Sequence, residues 1–446
     1  MERLALATDL YELTMTAGYY TKGLMTRATF ELHVRSLPPH RSFLVAAGLE
    51  QALEYLERLQ FTSEDIAFLR GLAQFEGVPA AFFDEYLPRF RFTGTVWAVE
   101  EGTPVFPPAP LLRVTAPLPE AQLVETVLLA YVGFQTSIAS RAVRMVNAAE
   151  RRPVVEFGSR RSHGVEAGLY AARAALIGGC AATSNVEAAR RFGERASGTM
   201  AHSWVMAHGD EDSAFRDFMD VFGGHAVLLL DTYDTLNATR RIVSSGLKPS
   251  GVRLDSGDLD ATSRAVRRIL DDGGLTATRI FGSGDLDEWR IAELVGSGAP
   301  IDAFGVGGAL STSSDAPLLG AVYKIVALER DGGTAAPMMK RSPGKETLPG
   351  IKQVWRTYVD GTAAGDIIGL ADEAGPPKSE PLLTCVMTDG RRAQPPRTID
   401  QLRKACGLRV DRLPTGVRRL AGADRYPVSI TPVLRRTADA VGASGK

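Results

Sequence analysis

Two of the six histidines of the chain, His202 and His208, lie in the segment GTMAHSWVMAHGDED. A six-residue separation puts them on different faces of a helix, and neither HExxH nor HxH is present, which disfavours zinc. His202 follows GTMA, where a strand end would direct it into a site. Held by an aspartate, it could act as a general base or as a nucleophile towards a phosphoryl group. His208 precedes Gly209 and an acidic run, which favours a packed or exposed neighbour.

Carboxylates follow three consecutive short apolar runs. Asp231 and Asp234 come after VLLL, Asp255 and Asp258 lie in RLDSGD, and Asp285 lies in GSGD. One aspartate after a strand is as well explained by capping the next helix as by function. Three in succession with the same layout indicate a ring of carboxylates at one edge of a sheet. Such a ring is mutually repulsive unless it meets a cation, a sugar diol or Mg²⁺.

The segment FGVGGALSTSS has the opposite chemistry. Gly305, Gly307 and Gly308 allow close approach of the backbone, and successive N–H groups with the following hydroxyls suit a phosphate. The segment is neither a P-loop nor a GxGxxG dinucleotide motif. Taken alone, the segment is a weak signal of function.

A third candidate is EFGSRRSHG, which places Arg160 and Arg161 after another apolar run. Arginine there can hold a phosphate or a carboxylate through two hydrogen bonds. The alternative is a solvated basic turn. Phe157, just before the arginines, is more typical of a core residue than of a stacking platform.

These residues need a scaffold that gathers strand ends. From Pro153 short apolar runs recur, mostly followed by a helical pattern, and the last four are about 25 residues apart. This is the βα repeat of a parallel sheet, open or closed into a barrel, whose chemistry lies in the loops after the strands. Earlier segments predict a helix, a β-rich module and a long helix, at 46–59, 90–115 and 120–149 respectively.

The sequence therefore predicts three regions. They are an N-terminal α/β region with a β-rich module (1–130), an α/β barrel catalytic domain (131–360) and a C-terminal accessory region (361–446). The tail beyond about Asp360 is rich in proline, glycine and arginine, which predicts some loop or disorder there.

Composition limits the partners. The formal net charge is -1 over 446 residues, which makes nucleic acid and anionic lipid surfaces unexpected partners. Three widely separated cysteines favour neither disulfides nor structural zinc. No apolar run approaches the ~20 residues that span a bilayer, and the first residues carry acids, unlike a secretory signal. A cytoplasmic enzyme without a membrane partner is the expectation.

Taken together, these motifs resemble the nicotinate phosphoribosyltransferase family. The resemblance rests on the segments ATDLYELTM, EFGSRRSHG, GTMAHSW, LLLDTYDT, RLDSGDL, FGSGDLDE, FGVGGALSTSSDAPLLGAVYKIV and GKETLPGIKQVWR. It implies an irregular α/β barrel of the type II phosphoribosyltransferase kind, with an N-terminal α/β region and a small C-terminal region. It also implies a homodimer with composite active sites, which transfers 5-phosphoribosyl from phosphoribosyl pyrophosphate to nicotinate. ATP is the implied co-substrate, hydrolysed through a phosphohistidine.

The resemblance also implies residue roles. His202 is similar to the phosphorylated histidine, with Asp231 as its partner and Asp234 as the less favoured choice. Asp255 and Asp285 are expected to hold ribose hydroxyls or Mg²⁺.

The remaining implied contacts are to substrate. Gly284 belongs to the ribose loop, and the backbone of Gly307 and Gly308 is expected to hold the 5-phosphate. Two aromatic rings, Phe157 and the partner subunit's Tyr11, are expected to sandwich the pyridine. Arg160 and Arg253 are the basic residues expected to meet phosphate, pyrophosphate or carboxylate.

Acceptor choice turns on ATSNV. Relatives that use nicotinamide carry an acid that accepts from the amide, and the matching position here is Ser184. A carboxylate there would repel the carboxylate of nicotinate, whereas a hydroxyl does not. The alternatives are nicotinamide phosphoribosyltransferase, quinolinate phosphoribosyltransferase, which would not need the histidine of GTMAHSW, and a non-catalytic sugar-phosphate sensor.

Overall fold

The computed structural model describes residues 4–330, 333–342 and 346–443. Gly344 and Lys345, in the last motif named above, lie outside them. The chain divides into two compact units, of which the first takes in 1–137, 318–397 and 405–446, and the second 138–317 and 398–404. The three-region division with boundaries at 130 and 360 stays a prediction.

The second unit is built on a parallel sheet. Its strands, in chain order, are β1 (Val154–Glu156), β2 (Ala182–Thr183), β3 (Val227–Leu229), β4 (Gly251–Leu254), β5 (Arg279–Gly282) and β6 (Ala303–Val306). Their spatial order is β2-β1-β6-β5-β4-β3, and every neighbouring pair is parallel. The sheet curls into a half-barrel, so the predicted irregular α/β barrel is confirmed.

Helices alternate with these strands. They are Val165–Ile177, Val186–Phe192, His202–His208, Glu211–Phe222, Thr235–Ser245, Leu259–Asp272, Glu288–Gly296 and Gly308–Ser311, with 3-10 turns at Ser159–Arg161 and Gly223–His225. Core strand residues such as Val252, Ile280 and Phe304 are completely buried. Parallel strands covered on both faces carry continuous apolar runs, which is why these segments show no alternation in the sequence.

The first unit is mainly antiparallel. Its largest sheet has seven strands, in the spatial order Ala335–Pro337, Ala321–Glu329, Arg27–Val34, Pro110–Pro117, Thr95–Val99, Leu383–Thr388 and Arg391–Arg392. A second sheet has the order Ser379–Pro381, Lys352–Val359, Thr362–Leu370 and Val428–Ile430, the last pair being parallel. Leu44–Val45 pairs with Pro104–Val105.

The helices of this unit are Leu10–Thr21, Leu49–Arg58, Ser63–Arg70, Leu87–Arg89, Leu118–Leu123 and Pro432–Ala443, with a 3-10 turn at Ala73–Phe75 and a π-helical turn at Phe82–Tyr86. Glu125–Ala148 and Ile399–Asp411 have residues in both units. The helix, β-rich module and long helix predicted before the barrel are therefore all present.

The tail beyond Asp360 forms more strands and helices than its composition suggests, and loops such as 412–427 join them. Leu383 and Met387 lie on a strand that pairs with Thr95–Val99, and both are buried, as is Leu434 on the last helix. The apolar residues of this tail are sparse but fall on the inward faces of short strands, and burial there outweighs the polar composition. No helix in the described part of the chain is both long and apolar enough to cross a bilayer.

Candidate active site

Each loop after β3, β4 and β5 contains one aspartate that caps a helix and one that does not. Asp234 and Asp258 accept hydrogen bonds from backbone N–H groups of the helices that they precede. Asp287 caps Glu288–Gly296 in the same way. The capping explanation therefore accounts for these three, and it leaves the carboxylates of Asp231, Asp255 and Asp285 for other contacts.

Arg253, on β4, is the centre of the best-defined network. Its Nη2 donates to Asp255 Oδ1 at 2.6 Å, its Nε donates to Ser283 Oγ at 2.7 Å, and its Nη1 donates to Thr199 Oγ1 at 3.0 Å. Ser283 Oγ also lies 2.6 Å from Asp255 Oδ1. The guanidinium thus fixes one oxygen of Asp255, and Asp255 remains only partly buried.

Asp231 supports the same loop. Its Oδ2 accepts from the backbone N–H of Asp255 at 2.9 Å and from Ser256 Oγ at 2.6 Å. Its Oδ1 is buried and has no hydrogen-bond partner among the described residues. A buried, unsatisfied carboxylate oxygen is costly, which is typical of an atom that meets a ligand.

The loop after β5 makes a close approach to this network. Gly284 has a φ of 95°, and a Cβ there would lie closer than 3.0 Å to the carbonyl of Asp255. Asp285, which is exposed, has a φ of 47°, a left-handed conformation that aspartate tolerates better than most residues. The close approach of residue 284 to the backbone of Asp255 leaves no space for a side chain, which explains why this residue is glycine.

His202 is the first residue of the helix His202–His208, and not the last residue of a strand as the sequence suggested. Its Nδ1 lies 3.2 Å from Thr232 Oγ1, and its Nε2 lies 4.0 Å from Asp255 Oδ2. The contacts found are therefore with Thr232 and Asp255, whereas the carboxylate of Asp231 engages the Asp255 loop. The imidazole is 43% exposed, so it can meet a ligand from solution.

His208 is explained by packing. Its ring lies against Trp204, with centroids 4.6 Å apart, and its Nδ1 is 2.8 Å from the backbone oxygen of Trp204. Its Nε2 is 3.2 Å from Asp217 Oδ2. These contacts hold the last residue of the helix His202–His208 in place.

Phe157, after β1, is half-buried against the glycine segment. A Cβ on Gly305 would lie 2.6 Å from its ring, so the ring packs directly against Gly305. Arg253 Cζ lies 5.6 Å from the centroid of the ring. The ring is therefore part of the wall beside the Arg253 network, as well as a packing residue.

The glycine segment itself begins after β6. Gly307 precedes the short helix Gly308–Ser311, and Ser311 Oγ donates to the backbone oxygen of Gly158 at 3.1 Å. The side chain of Arg161 lies against Gly308, 3.4 Å from where a Cβ would stand. The segment is thus joined to the EFGSRR turn.

Ser184 follows β2 and is held beside β1. Its N–H donates to the backbone oxygen of Glu156 at 2.8 Å, while Thr183 Oγ1 donates to Glu156 Oε2 at 2.5 Å. Burial raises the pKa of the Glu156 carboxyl, although the hydrogen bonds from Thr183 and Gly158 act in the opposite direction. This buried carboxylate fixes the turns that carry Phe157 and Ser184.

Two predicted residues are not part of this set of contacts. Arg160 is exposed on the turn Ser159–Arg161 and makes no ion pair with any described residue. Tyr11 lies on Leu10–Thr21 in the first unit and is 46% exposed.

Three contributors were not singled out from the sequence: Thr199, Thr232 and Ser283. Ser283 and Thr232 each adjoin a motif aspartate or glycine, and a systematic inspection of hydroxyls at strand ends would have found them. Thr199 could be found only from the fold. No three His, Cys, Asp or Glu residues in the described ranges converge as a ready metal site.

Comparison with known proteins gives the family. Family models for the nicotinate phosphoribosyltransferase N-terminal domain, family and C-terminal domain match residues 6–133, 153–336 and 376–438. The nicotinate phosphoribosyltransferase pncB2 of Mycobacterium tuberculosis is 43% identical over 96% of this chain and 91% of its own length.

Two solved structures share the fold. The human nicotinic acid phosphoribosyltransferase superposes with a TM-score of 0.85 at 28% identity, covering 98% of this chain and all of that one. A nicotinate-nucleotide pyrophosphorylase from Pyrococcus furiosus has a TM-score of 0.76 at 27% identity, covering 92% and 96%. Because two structures with different enzyme names share this fold, the family is assigned from the sequence relatives. Fold and matches define an α/β-barrel enzyme. The chain belongs to the nicotinate phosphoribosyltransferase family, as its motifs indicated.

Proposed function

We propose that the chain transfers 5-phosphoribosyl from phosphoribosyl pyrophosphate to the ring nitrogen of nicotinate, as the first step of NAD salvage from nicotinate. The observation that carries the proposal is the network in which Arg253 joins Asp255, Ser283 and the Phe157 ring. It brings a cation, a carboxylate and an aromatic face together at the carboxyl edge of the half-barrel. A pyridine carboxylate and a charged sugar need those groups side by side.

Nicotinate takes the aromatic face. The ring of Phe157 covers one side of the pyridine, and the partner subunit's Tyr11 covers the other. Arg253 and the exposed Arg160 supply positive charge for the carboxylate or for phosphate. Ser184 supports nicotinate over nicotinamide because a hydroxyl does not repel the acceptor's charge.

Phosphoribosyl pyrophosphate takes the loops. The N–H groups at Gly307 and Gly308 hold its 5-phosphate, and the loop of Gly284 and Asp285 holds the ribose with Asp255. Mg²⁺ fits this set, since it uses one or two carboxylates with substrate phosphates and Asp255 Oδ2 and Asp285 are such donors. When bound, Mg²⁺ would neutralise charge on the leaving pyrophosphate.

The reaction is a displacement at the ribose C1. The lone pair of the pyridine nitrogen forms the new C1–N bond, the C1–O bond breaks, and pyrophosphate leaves with that electron pair. Positive charge develops on the ribose in the transition state, where the carboxylates of Asp255 and Asp285 stabilise it. Phe157 holds the ring nitrogen in line with C1.

ATP enters through His202. We assign the imidazole proton to Nδ1, which lies 3.2 Å from Thr232 Oγ1. This tautomer leaves Nε2 as the nucleophilic nitrogen. Nε2 attacks the γ-phosphorus of ATP, ADP leaves, and water later hydrolyses the phosphohistidine. About two negative charges beside Asp255 change the affinity of the site for substrates and products, and hydrolysis resets it.

The enzyme acts as a homodimer with composite sites. Leu10, Tyr11 and Met15 are 42%, 46% and 36% exposed on one helix, which supports a surface that another subunit covers. The cytoplasm is the expected location.

The activity test uses purified protein with Mg²⁺, phosphoribosyl pyrophosphate and nicotinate. We expect nicotinate mononucleotide and pyrophosphate in equal amounts, stimulation by ATP, and much weaker turnover with nicotinamide. Folded protein that forms no nicotinate mononucleotide under these conditions refutes the proposal.

The histidine test follows label from γ-labelled ATP. Wild-type protein and His208→Ala should acquire acid-labile, base-stable label and keep ATP stimulation. His202→Ala should lose both. Label that persists in His202→Ala places the phosphoryl acceptor elsewhere.

A further inference from the structure

A buried arginine joins the ends of the two loops that carry most of the proposed sugar-phosphate contacts. Arg141 Nη2 lies 2.9 Å from Glu288 Oε2, and its Nη1 contacts Asp315 Oδ1. Arg144 adds a second contact, from Nε to Glu288 Oε1 at 3.0 Å. The side chains of Arg141 and Glu288 are 3% and 1% exposed, so both are enclosed by protein.

Each carboxylate belongs to a different loop. Glu288 is the first residue of the helix Glu288–Gly296, three positions after Asp285. Asp315 follows the short helix Gly308–Ser311 of the glycine segment. The two loops follow β5 and β6, which are parallel neighbours. One guanidinium therefore ties the end of each loop to the helix Glu125–Ala148.

We propose that Arg141 is a positioning residue that sets the separation between the ribose loop (283–287) and the phosphate loop (307–316). The inference rests on the proposed function, because that function assigns one end of the substrate to each loop. A buried ion pair adds little net stability compared with apolar packing, so stability alone does not explain it. A planar guanidinium can hold two carboxylates in fixed directions, which an ammonium group cannot do.

The consequence is specific to a ligand that spans both loops. Phosphoribosyl pyrophosphate gains affinity from simultaneous engagement of both, and that gain is lost when their separation is wrong. Inorganic phosphate and pyrophosphate each need one loop region only. Loss of Arg141 should therefore affect the spanning ligand far more than either fragment.

The experiment compares the dissociation constants of three ligands by calorimetry, with Mg²⁺ present: phosphoribosyl pyrophosphate, pyrophosphate and inorganic phosphate. Arg141→Lys keeps the charge and loses the planar bridge. Asp315→Asn is the milder variant, since it removes the negative charge with which the phosphate loop faces Arg141 and leaves Arg141 paired with Glu288. The matched control is Asp366→Asn, which breaks another buried pair, with Arg356, in the other unit.

We expect both test variants to bind phosphoribosyl pyrophosphate at least about tenfold more weakly, which is about 1.4 kcal/mol, and each fragment within about threefold of wild type. Asp366→Asn should leave the dissociation constants of phosphoribosyl pyrophosphate and of both fragments close to those of wild type, even if it lowers the melting temperature. Equal losses for all three ligands, or no loss in either test variant, overturn the inference. Wild-type protein that binds no phosphoribosyl pyrophosphate and forms no product overturns the proposed function, and this inference with it.

Discussion

Gly284→Ala is the substitution for which the structure gives the clearest expectation. Residue 284 has a φ of 95°, and a Cβ there would lie closer than 3.0 Å to the carbonyl of Asp255. The added methyl therefore meets two separate obstacles. One is the left-handed backbone, and the other is the neighbouring loop.

The two costs can be estimated separately. A non-glycine residue at such a φ costs about 1–3 kcal/mol of folding free energy. The contact with Asp255 is with backbone, which cannot rotate away, so its relief requires a loop shift on the order of 1 Å. A misplacement of that size at a reacting group lowers the rate by about 10²-fold, or about 2.7 kcal/mol in activation free energy.

The control is Gly246→Ala. Gly246 has a φ of 72° at the end of the helix Thr235–Ser245, and nothing lies within 4 Å of where its Cβ would stand. It carries the backbone cost without the contact. The assay measures kcat/KM for phosphoribosyl pyrophosphate and the free energy of unfolding of both variants and wild type.

We expect a larger loss of stability in Gly284→Ala than in Gly246→Ala, because only Gly284→Ala carries the contact with Asp255. A loss of activity of about 10²-fold is expected in Gly284→Ala alone. Activity of Gly284→Ala within about threefold of the control would refute the reasoning, because the close approach would then not position Asp255.

Three further predictions test other parts of the molecule. Ser184→Asp should lower kcat/KM for nicotinate at least about tenfold, because it places a like charge near the acceptor; an unchanged preference for nicotinate over nicotinamide would mean that Ser184 does not face the ring. Tyr11→Ala should raise the KM for nicotinate more than that for phosphoribosyl pyrophosphate, and subunit exchange with His202→Ala should restore some activity; no recovery would indicate sites built from one chain. Burial, and then the charge of Lys352, lower the pKa of His33 to about 4. The unfolded chain binds that proton at a higher pH, so the free energy of unfolding should fall as pH drops from about 6.5 to about 4, and His33→Gln should flatten this decline in denaturant titrations; equal slopes would contradict it.

The barrel was predictable because two features of the sequence mark each of its later strands. Each of β3 to β6 is a short apolar run that ends in polar or glycine residues, and a helical pattern follows. That repeat fixes which loops share an edge before any side chain is placed. The positions of Asp231, Asp255 and Gly307 on that edge followed from it.

Side-chain partners were less predictable. The sequence paired His202 with Asp231, but the contacts found are with Thr232 and Asp255. The difference arises because His202 starts a helix, and a helix start and a strand end direct a side chain differently. A hydrogen bond such as that from Arg253 to Thr199 joins residues far apart in the sequence, so only the assembled fold determines it.

The seven-stranded sheet has a consequence for biosynthesis. Arg27–Val34 lies between Pro110–Pro117 and Ala321–Glu329. One edge of this strand therefore stays unpaired until Ala321–Glu329 is synthesised, roughly 290 residues later in the chain. At about 5–20 residues per second, a nascent chain leaves that edge open for roughly 15 to 60 s. An open edge invites pairing with other chains, whereas the six barrel strands all lie within 154–306 and can pair earlier. Production at high expression levels should therefore depend on chaperones that bind the chain while it is still on the ribosome.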